Sequence, residues 1–426
     1  MKGTVSQHPS TVPPSSIKRH DKSVSRVHTA VLRPQQPSPH LPGEQISIDI
    51  PGQGLFDCER HTLDFEVTST SGSTRFYLDG SGHSFIKRVQ VVSRSGAYIE
   101  DSAEYNLMAN MFSQVTIGPD YCAKAWVQGL DNLNAATLTD KILIDTTAKR
   151  FSIPLDIPLF KSTRFLHMMA LGGLKLMIEL APVRDVCASY HASDTAPTGY
   201  NVSNVRLHTR SLLMSNEFDN IVRRQAAAGG IIYNPLAYMV RSKQTTGTNS
   251  NALSISGNQL SVEKVFTVRR IAGDMSSTLV QQSGENGQYT LTRYVHPSTT
   301  SSEALQFHHG AERYPAQPID ESEVADFYLQ QAVNLHGDVN CESHLTRARY
   351  TTQATVGTAA GANNYVTGYE FSTAGRNSGV DITINDLQLV EEVTADPIAS
   401  GSQYDALVFF SAAIQVKSPT EIRVAV

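Results

Sequence analysis

The sequence predicts an all-β protein made of two tandem antiparallel sandwiches, and three observations carry that expectation. At 426 residues the chain is too long for one ordinary sandwich and long enough for two of about 200 residues each. Apolar and polar residues alternate over short runs, as in strands with one face in a core. Clusters of Gly, Pro, Ser, Asn and Asp separate the runs, and these residues favour turns.

From Met1 to Glu44 the alternation is missing. Pro9, Pro13, Pro14, Pro34, Pro37, Pro39 and Pro42 lie among Ser and Gln, a composition that buries too little surface to offset chain entropy. An extended, partly disordered arm is expected. Lys2, Lys18, Arg19, Lys22, Arg26 and Arg33 outweigh Asp21 and Glu44 on a chain of net charge −5. So few cations neutralise only a handful of phosphates, which favours an arm tying subunits together or lining an inner surface over one packaging a genome.

Strand signals then follow in order: Ile46, Ile48 and Ile50; Leu63, Phe65 and Val67; Phe85 to Val92; and Leu174, Leu176, Ile178 and Leu180. The run from Thr74 to Gly96 breaks at Asp79-Gly80-Ser81-Gly82, which predicts a turn with a second strand following at once. In the second half, strands are expected over Gln259 to Ile271, Gln288 to Val295, Tyr365 to Phe371, Val380 to Ile384, Ala406 to Val416 and Glu421 to Val426. The polar tracts Ser242 to Asn258 and Gly357 to Asn364 are expected as loops outside the core, where backbone groups can meet water.

Three short helices interrupt the pattern. Asp101 with Glu104 predicts a capped start, with Tyr105, Met108, Ala109 and Phe112 on one face. Ser215 or Asn216 opens a second, with Phe218, Ile221 and Val222 inward and Gly229-Gly230 as its stop. Asp320 with Glu323 opens a third, striped by Val324, Phe327, Tyr328 and Leu335 before Gly337. All three are expected to serve packing.

Several function classes are excluded or weakened. No apolar run reaches the roughly 18 residues that span a bilayer; Lys175 and Glu179 interrupt the best candidate, Phe165 to Ala181. No apolar stretch follows the basic N-terminal residues, so no secretion signal is read and assembly inside the cell is expected. Cys58, Cys122, Cys187 and Cys341 are scattered without a C-x-x-C pair, which predicts buried free thiols. Asn201-Val202-Ser203 has little meaning as a sequon without a secretory route.

A search for chemistry finds no metalloprotease, nucleophile-elbow, Walker or dinucleotide motif. His308-His309 near Glu312 is the one metal-like cluster, but neighbours on a strand point to opposite faces. His61 and His83 make no better case. Glu100-Asp101, Glu391-Glu392 and Asp320-Glu321 are adjacent acids that diverge in space, and Glu100-Asp101 is explained as a helix start. Trp126 and the tyrosines are too dispersed for a stacking platform. No catalytic, cofactor-binding or metal-ligating residue is nominated.

Four stretches in order resemble double jelly-roll major capsid proteins of double-stranded DNA viruses, the lineage of polinton-like viruses, virophages and adenovirus hexon. They are HSFIKRVQVVSRSGAYIEDSAEYNLMANMF from His83; FSIPLDIPLF…RFLHMMALGGLKLMIELA from Phe151 to Ala181; Gln306 to Leu335 with Gly310, Tyr314-Pro315 and Pro318-Ile319; and Asp381 to Val426. The resemblance implies two tandem eight-stranded antiparallel jelly rolls, residues 45–232 and 233–426 after an arm of 1–44. It also implies homotrimers forming pseudo-hexagonal capsomers of an icosahedral virion. Expected partners are neighbouring capsomers, penton and minor capsid proteins, with weak contact of the arm to genome or an internal membrane; no small-molecule substrate, cofactor or enzymatic activity is expected. Two alternatives stay open: a single jelly-roll small-virus capsid protein with a projecting domain, disfavoured because Gly229 to Pro235 is unlike a linker, and a carbohydrate-binding attachment protein.

Overall fold

In the computed structural model, residues 24–135, 137–282, 287–296, 303–320, 322–333, 365–372, 378–394 and 400–425 are described. The Gly357 to Asn364 tract, Leu335, Gly337, Cys341 and the first half of the predicted arm lie outside them.

The alternating segment Leu174–Leu180 sits inside a four-stranded antiparallel sheet, between Gln45–Ile50 and Ile86–Ser93, with Tyr98–Ala103 beyond. Leu176 is in register with Ile48 and Val91, and Ile178 with Ile46 and Val89, so the apolar residues of three strands form one buried face. Across it lies a sheet of Lys149–Ile153, Thr62–Ser69 and Tyr200–Met214, with the short strands Leu55–Asp57 and Phe165–His167. A void of about 10 Å³ bounded by Ile46 and Ile178 of one sheet and Leu63, Phe65 and Val202 of the other marks how closely they meet. The Asp79–Gly82 turn forms as expected, with Gly80 at φ +79°. One 3-10 turn, Gly82–Phe85, then delays the next strand to Ile86.

The segment read as an arm contributes more than its composition suggests. Val24–Leu32 is a strand laid along Tyr200–Met214, from Val24 opposite Met214 to Leu32 opposite Leu207. Its side chains stay mostly exposed, so the backbone ladder holds it. Farther on, His40 and Val202 exchange backbone hydrogen bonds of 2.8 and 2.9 Å, and the Ser47 N–H donates to Gln36 Oε1 at 2.9 Å.

The second sandwich has two four-stranded antiparallel sheets. One orders Leu236–Gln244, Gln403–Ser411, Val262–Arg270 and Val366–Glu370; the other orders Ser250–Ile255, Leu387–Val393, Glu303–His309 and Glu312–Ile319. All nine residues of Val262–Arg270 are buried, because both faces of this sheet are covered. Among the described residues there are also two three-stranded sheets: Cys187–Tyr190, Phe76–Leu78 and Leu143–Ile144; and Ile231–Tyr233, Ala413–Ser418 and Glu421–Ala425.

Several expectations change. Helix α1 is Tyr105–Thr116, and it has no side-chain cap: the preceding strand runs to Ala103, and Glu104 turns the chain in the left-handed region at φ 51°. Asp101 is a strand residue whose carboxylate accepts from Arg88, and Glu100 is buried beside it. In helix α2, Asn216–Gly229, the Ser215 cap forms by accepting from the Phe218 N–H at 3.3 Å. Val222 is buried as expected, but Ile221 is exposed. In helix α3, Ser322–Ala332, Ala325, Leu329 and Ala332 make the inward face and Phe327 points outward.

The tract Ser242 to Asn258 is not a loop: it holds the strand Ser250–Ile255, with Asn251, Leu253 and Ile255 buried. Three apolar or amide side chains at period two suffice within polar surroundings. Val380 to Ile384 makes only a bridge from Val380 to Val262. Gln288 to Val295 is irregular, because its groups bond to buried acids instead of to a ladder.

Candidate functional site: the seam and the exposed edges

Among the described residues no group of three or more His, Cys, Asp or Glu side chains could hold a metal ion; the features built by the fold are the seam joining the sandwiches and the edges at its first and last described strands. At the seam, Phe112 of α1 stands edge-on to Phe266 and Phe409 of the second sandwich, with ring centroids 5.1 and 5.6 Å away. Phe409 also meets Tyr238 at 5.5 Å. Hydrogen bonds flank the rings: Tyr238 Oη donates to the Ala103 carbonyl at 2.8 Å, Gln114 Nε2 to the Thr292 carbonyl at 3.1 Å, and the His167 N–H to Tyr233 Oη at 3.0 Å. Edge-to-face rings add roughly 0.5–1.5 kcal/mol each beyond burial.

Asp79 anchors the irregular segment. Its carboxylate, wholly buried, accepts from the Leu291 N–H at 2.8 Å and from the hydroxyls of Thr290 and Thr292. Burial pushes its pKa up, while Lys141 and these donors pull the other way. Asp274 receives Arg293 through Nε at 2.8 Å and accepts from the Tyr289 N–H at 3.1 Å. Lys141 and Arg293 each sit 5.1 Å from the Tyr289 ring. The turn residues at Asp79 and the chain from Asp274 to Thr292 are thus tied by charge-assisted bonds that span the two halves.

The second sandwich holds more buried ions. Arg270 Nε donates to Asp405 at 2.8 Å. Arg269 reaches across to Glu391 in the opposing sheet and stacks 4.0 Å from the Tyr404 ring. Glu303 accepts from the Tyr365 hydroxyl at 2.7 Å, and burial raises its pKa to about 7. Glu100, in the first sandwich, is likewise raised to about 7 by burial despite accepting from Ser102 and from the Leu159 N–H.

The residues singled out in the sequence are dispersed. His61 is buried, with Nδ1 2.7 Å from the Cys58 carbonyl and Nε2 accepting from the Leu155 N–H at 3.0 Å, an arrangement of the neutral ring; burial lowers its pKa. His83 meets the Tyr105 hydroxyl at 2.9 Å and is lowered for the same reason. His308 contacts Gln306 Oε1 at 3.1 Å, while His309 lies in register with Glu312. Among the described residues no three His, Cys, Asp or Glu side chains converge as a metal requires. Cys58 and Cys187 are buried free thiols, and Cys122 is buried as well. Glu391 is buried and Glu392 exposed. Trp126 is 68% exposed, on the short helical excursion between Pro119–Lys124 and Leu130–Asn134.

A cleft of about 410 Å³ lies between His308, Arg313, Asn385 and Gln388. Asp386 is the one acid lining it and is engaged by the Ser254 hydroxyl at 2.9 Å, so the cleft lacks the paired acids of glycoside cleavage. The sequence offered no sign of the seam acids Asp79 and Asp274, since their partners are about 210 and 19 positions away. Among the described residues no helix is long and apolar enough to cross a membrane.

No family model and no curated protein sequence matches the chain. Solved structures do. The PBCV-1 virus capsid matches with a TM-score of 0.63 at 12% identity, covering 94% of this chain and 96% of that one. The Faustovirus major capsid protein matches at 0.60 and 10% identity over 92% and 91%. The mavirus major capsid protein matches at 0.53 and 12% identity over 100% and 96%. Neighbours that match end to end, with two sandwiches in one chain, define the architecture: the chain has the double jelly-roll fold of viral major capsid proteins, the family its sequence resembles.

Proposed function

We propose that this chain is a structural major capsid protein whose homotrimers form the pseudo-hexagonal capsomers of an icosahedral, double-stranded DNA virus. The observation that carries this reading is the end-to-end likeness to the PBCV-1 capsid, in which both sandwiches are matched at once. The fixed seam supports it, since aromatic rings and buried ions lock the two jelly rolls into one building block. We read the chain as divided into residues 1–44, 45–232 and 233–426, with the strand Val24–Leu32 of the first segment joining a sheet of the second and the sheet of Ile231–Tyr233 and Ala413–Ser418 straddling the second boundary. Partners under this reading are neighbouring capsomers, penton and minor capsid proteins, with the N-terminal segment near genome or an internal membrane. The role is architectural, not enzymatic.

Light scattering combined with negative-stain imaging tests it. A particle of three times 46.5 kDa, hexagonal in projection, is expected. A monomer or dimer that never forms shells overturns the reading, and specific sugar binding on a glycan array would favour an attachment protein instead.

A further inference from the structure

We propose that copies of this chain join by pairing the free edge of Glu421–Ala425 in one copy with the free edge of Val24–Leu32 in the next, antiparallel, with Glu421 opposite Arg33. This rests on the multi-copy shell reading above and adds the contact it would use.

The first and last strands of the described chain share an unusual condition. Among the described residues each is laddered on one side only, Val24–Leu32 to Tyr200–Met214 and Glu421–Ala425 to Ala413–Ser418. Each is also poorly covered on its faces: Val27 is 48%, Val31 53% and Val424 41% exposed. A bare, valine-bearing edge is a template for another strand, and soluble proteins ordinarily blunt it with proline, lysine or bulges. Neither strand contains proline or lysine. The one register shift in Val24–Leu32 lies at its far end, between Val24 and Arg26. Edge strands recruit partners through main-chain bonds, with alternate side chains setting the register.

Charge and packing select the register. Self-pairing of Glu421–Ala425 about its middle would place Arg423 against Arg423, and like charges directly opposite are destabilising. With Glu421 opposite Arg33, opposite charges face each other, Ile422 meets Leu32, Val424 meets Ala30 and Arg423 meets Val31. Leu32 and Ile422 are both half-buried residues packed against the core of their own copy, so the packed sides of the two strands continue one another. Arg33 is exposed and makes no ion pair among the described residues; the Glu421 carboxylate meets Lys417 and Arg423 at 3.5 Å on the surface, and its N–H donates to Ser418 Oγ at 3.1 Å. The contact is head to tail, and such contacts close into rings when the rotation permits.

The test uses the full chain. Glu421→Lys sets a lysine against Arg33 and should raise the concentration of half-association about tenfold, while adding Arg33→Glu should restore it to within about threefold. In parallel, Val31→Cys and Arg423→Cys chains are mixed and mildly oxidised; a 31–423 disulfide between chains, mapped by peptide mass, is expected in the mixture and in neither variant alone. Oligomers of normal mass that ignore Glu421→Lys and give no 31–423 disulfide overturn this contact and leave the capsid reading standing. A chain monomeric at every concentration overturns both.

Discussion

Single residues set how the molecule responds to pH. Glu100 and Glu303 are each raised to about 7 by burial, above the ordinary glutamate value near 4.5. A group raised on folding adds stability that is fully present below its unfolded value and is lost as pH rises through its folded one. Both acids therefore favour the fold near pH 4.5 and release that support by pH 7. His61, His83 and His167 run the other way: burial lowers them, His167 to about 4, so their contribution is lost as pH falls below about 6.5. Between these limits the two sets oppose, and the Glu contribution is read by difference. Glu303→Gln is expected to flatten the fall in unfolding free energy between pH 5 and 8 by at most about 3 kcal/mol, measured by denaturant titration against the parent. An unchanged slope would place Glu303 near its unfolded value.

The buried pair Arg270–Asp405 makes a second prediction at this scale. Asp405→Ala strands a buried guanidinium and should cost roughly 3–5 kcal/mol, whereas Arg270→Met with Asp405→Leu should cost markedly less. Chemical denaturation of the three chains decides it; equal losses in both variants would mean that the pair's attraction, not the stranded charge, dominates.

At the scale of elements, burial separates strands that composition confuses. Leu176 and Ile178 are central to the first sandwich, and Ile178→Asp should abolish folding by leaving a charge in the core. In the polar tract, Leu253→Ala is expected to cost about 2–5 kcal/mol, while Ala252→Ser, at an exposed position on the opposite face of the same strand, should change stability by less than about 0.5 kcal/mol. Thermal melts of the pair check the assignment, and a reversed ranking would refute it. Gly54 shows a stricter constraint: at φ +67° an added Cβ would lie 2.4 Å from the Leu212 carbonyl oxygen, so Gly54→Ala must shift one strand against another.

Elements with strong period-two runs and unmixed faces were readable in advance, among them Leu174–Leu180 and Thr62–Ser69, because half-burial imposes that pattern. Helix ends were less readable. Asp101 and Glu104 have a capping spacing, yet the ladder to Ile86–Ser93 extends the strand through Asp101 to Ala103, and Glu104 makes the turn into the helix. Ser250–Ile255 is hard to read as a strand because only alternate residues are buried and two of its exposed positions are serine. Gln288 to Val295 has strand-like composition, but bonds to Asp79 and Asp274 override it.

For the whole molecule, the seam decides whether two sandwiches behave as one body. Phe112→Ala should cost about 3–5 kcal/mol, and the loss should appear as two separated transitions in calorimetry where the parent has one; a single shifted transition would mean that the polar ties suffice. If the chain builds a shell as proposed, removing residues 1–23 should leave the folded block intact by circular dichroism and impair shells in negative-stain images. Removing Met1 to Glu44 also deletes an edge strand and the bonds of Gln36 and His40, and should lower the melting temperature as well.

The all-β class, the doubled size, most core strands and, through four degenerate stretches, the resemblance to double jelly-roll capsid proteins are legible in the amino-acid sequence alone. These features are local: alternation, turn residues and length follow from side-chain burial over a few positions. The seam, the buried acids and the bare terminal edges were decided only by tertiary structure. Their partners lie up to about 210 residues apart in sequence, and nothing in a short window indicates which distant surface a carboxylate, a ring or an unpaired strand edge will meet.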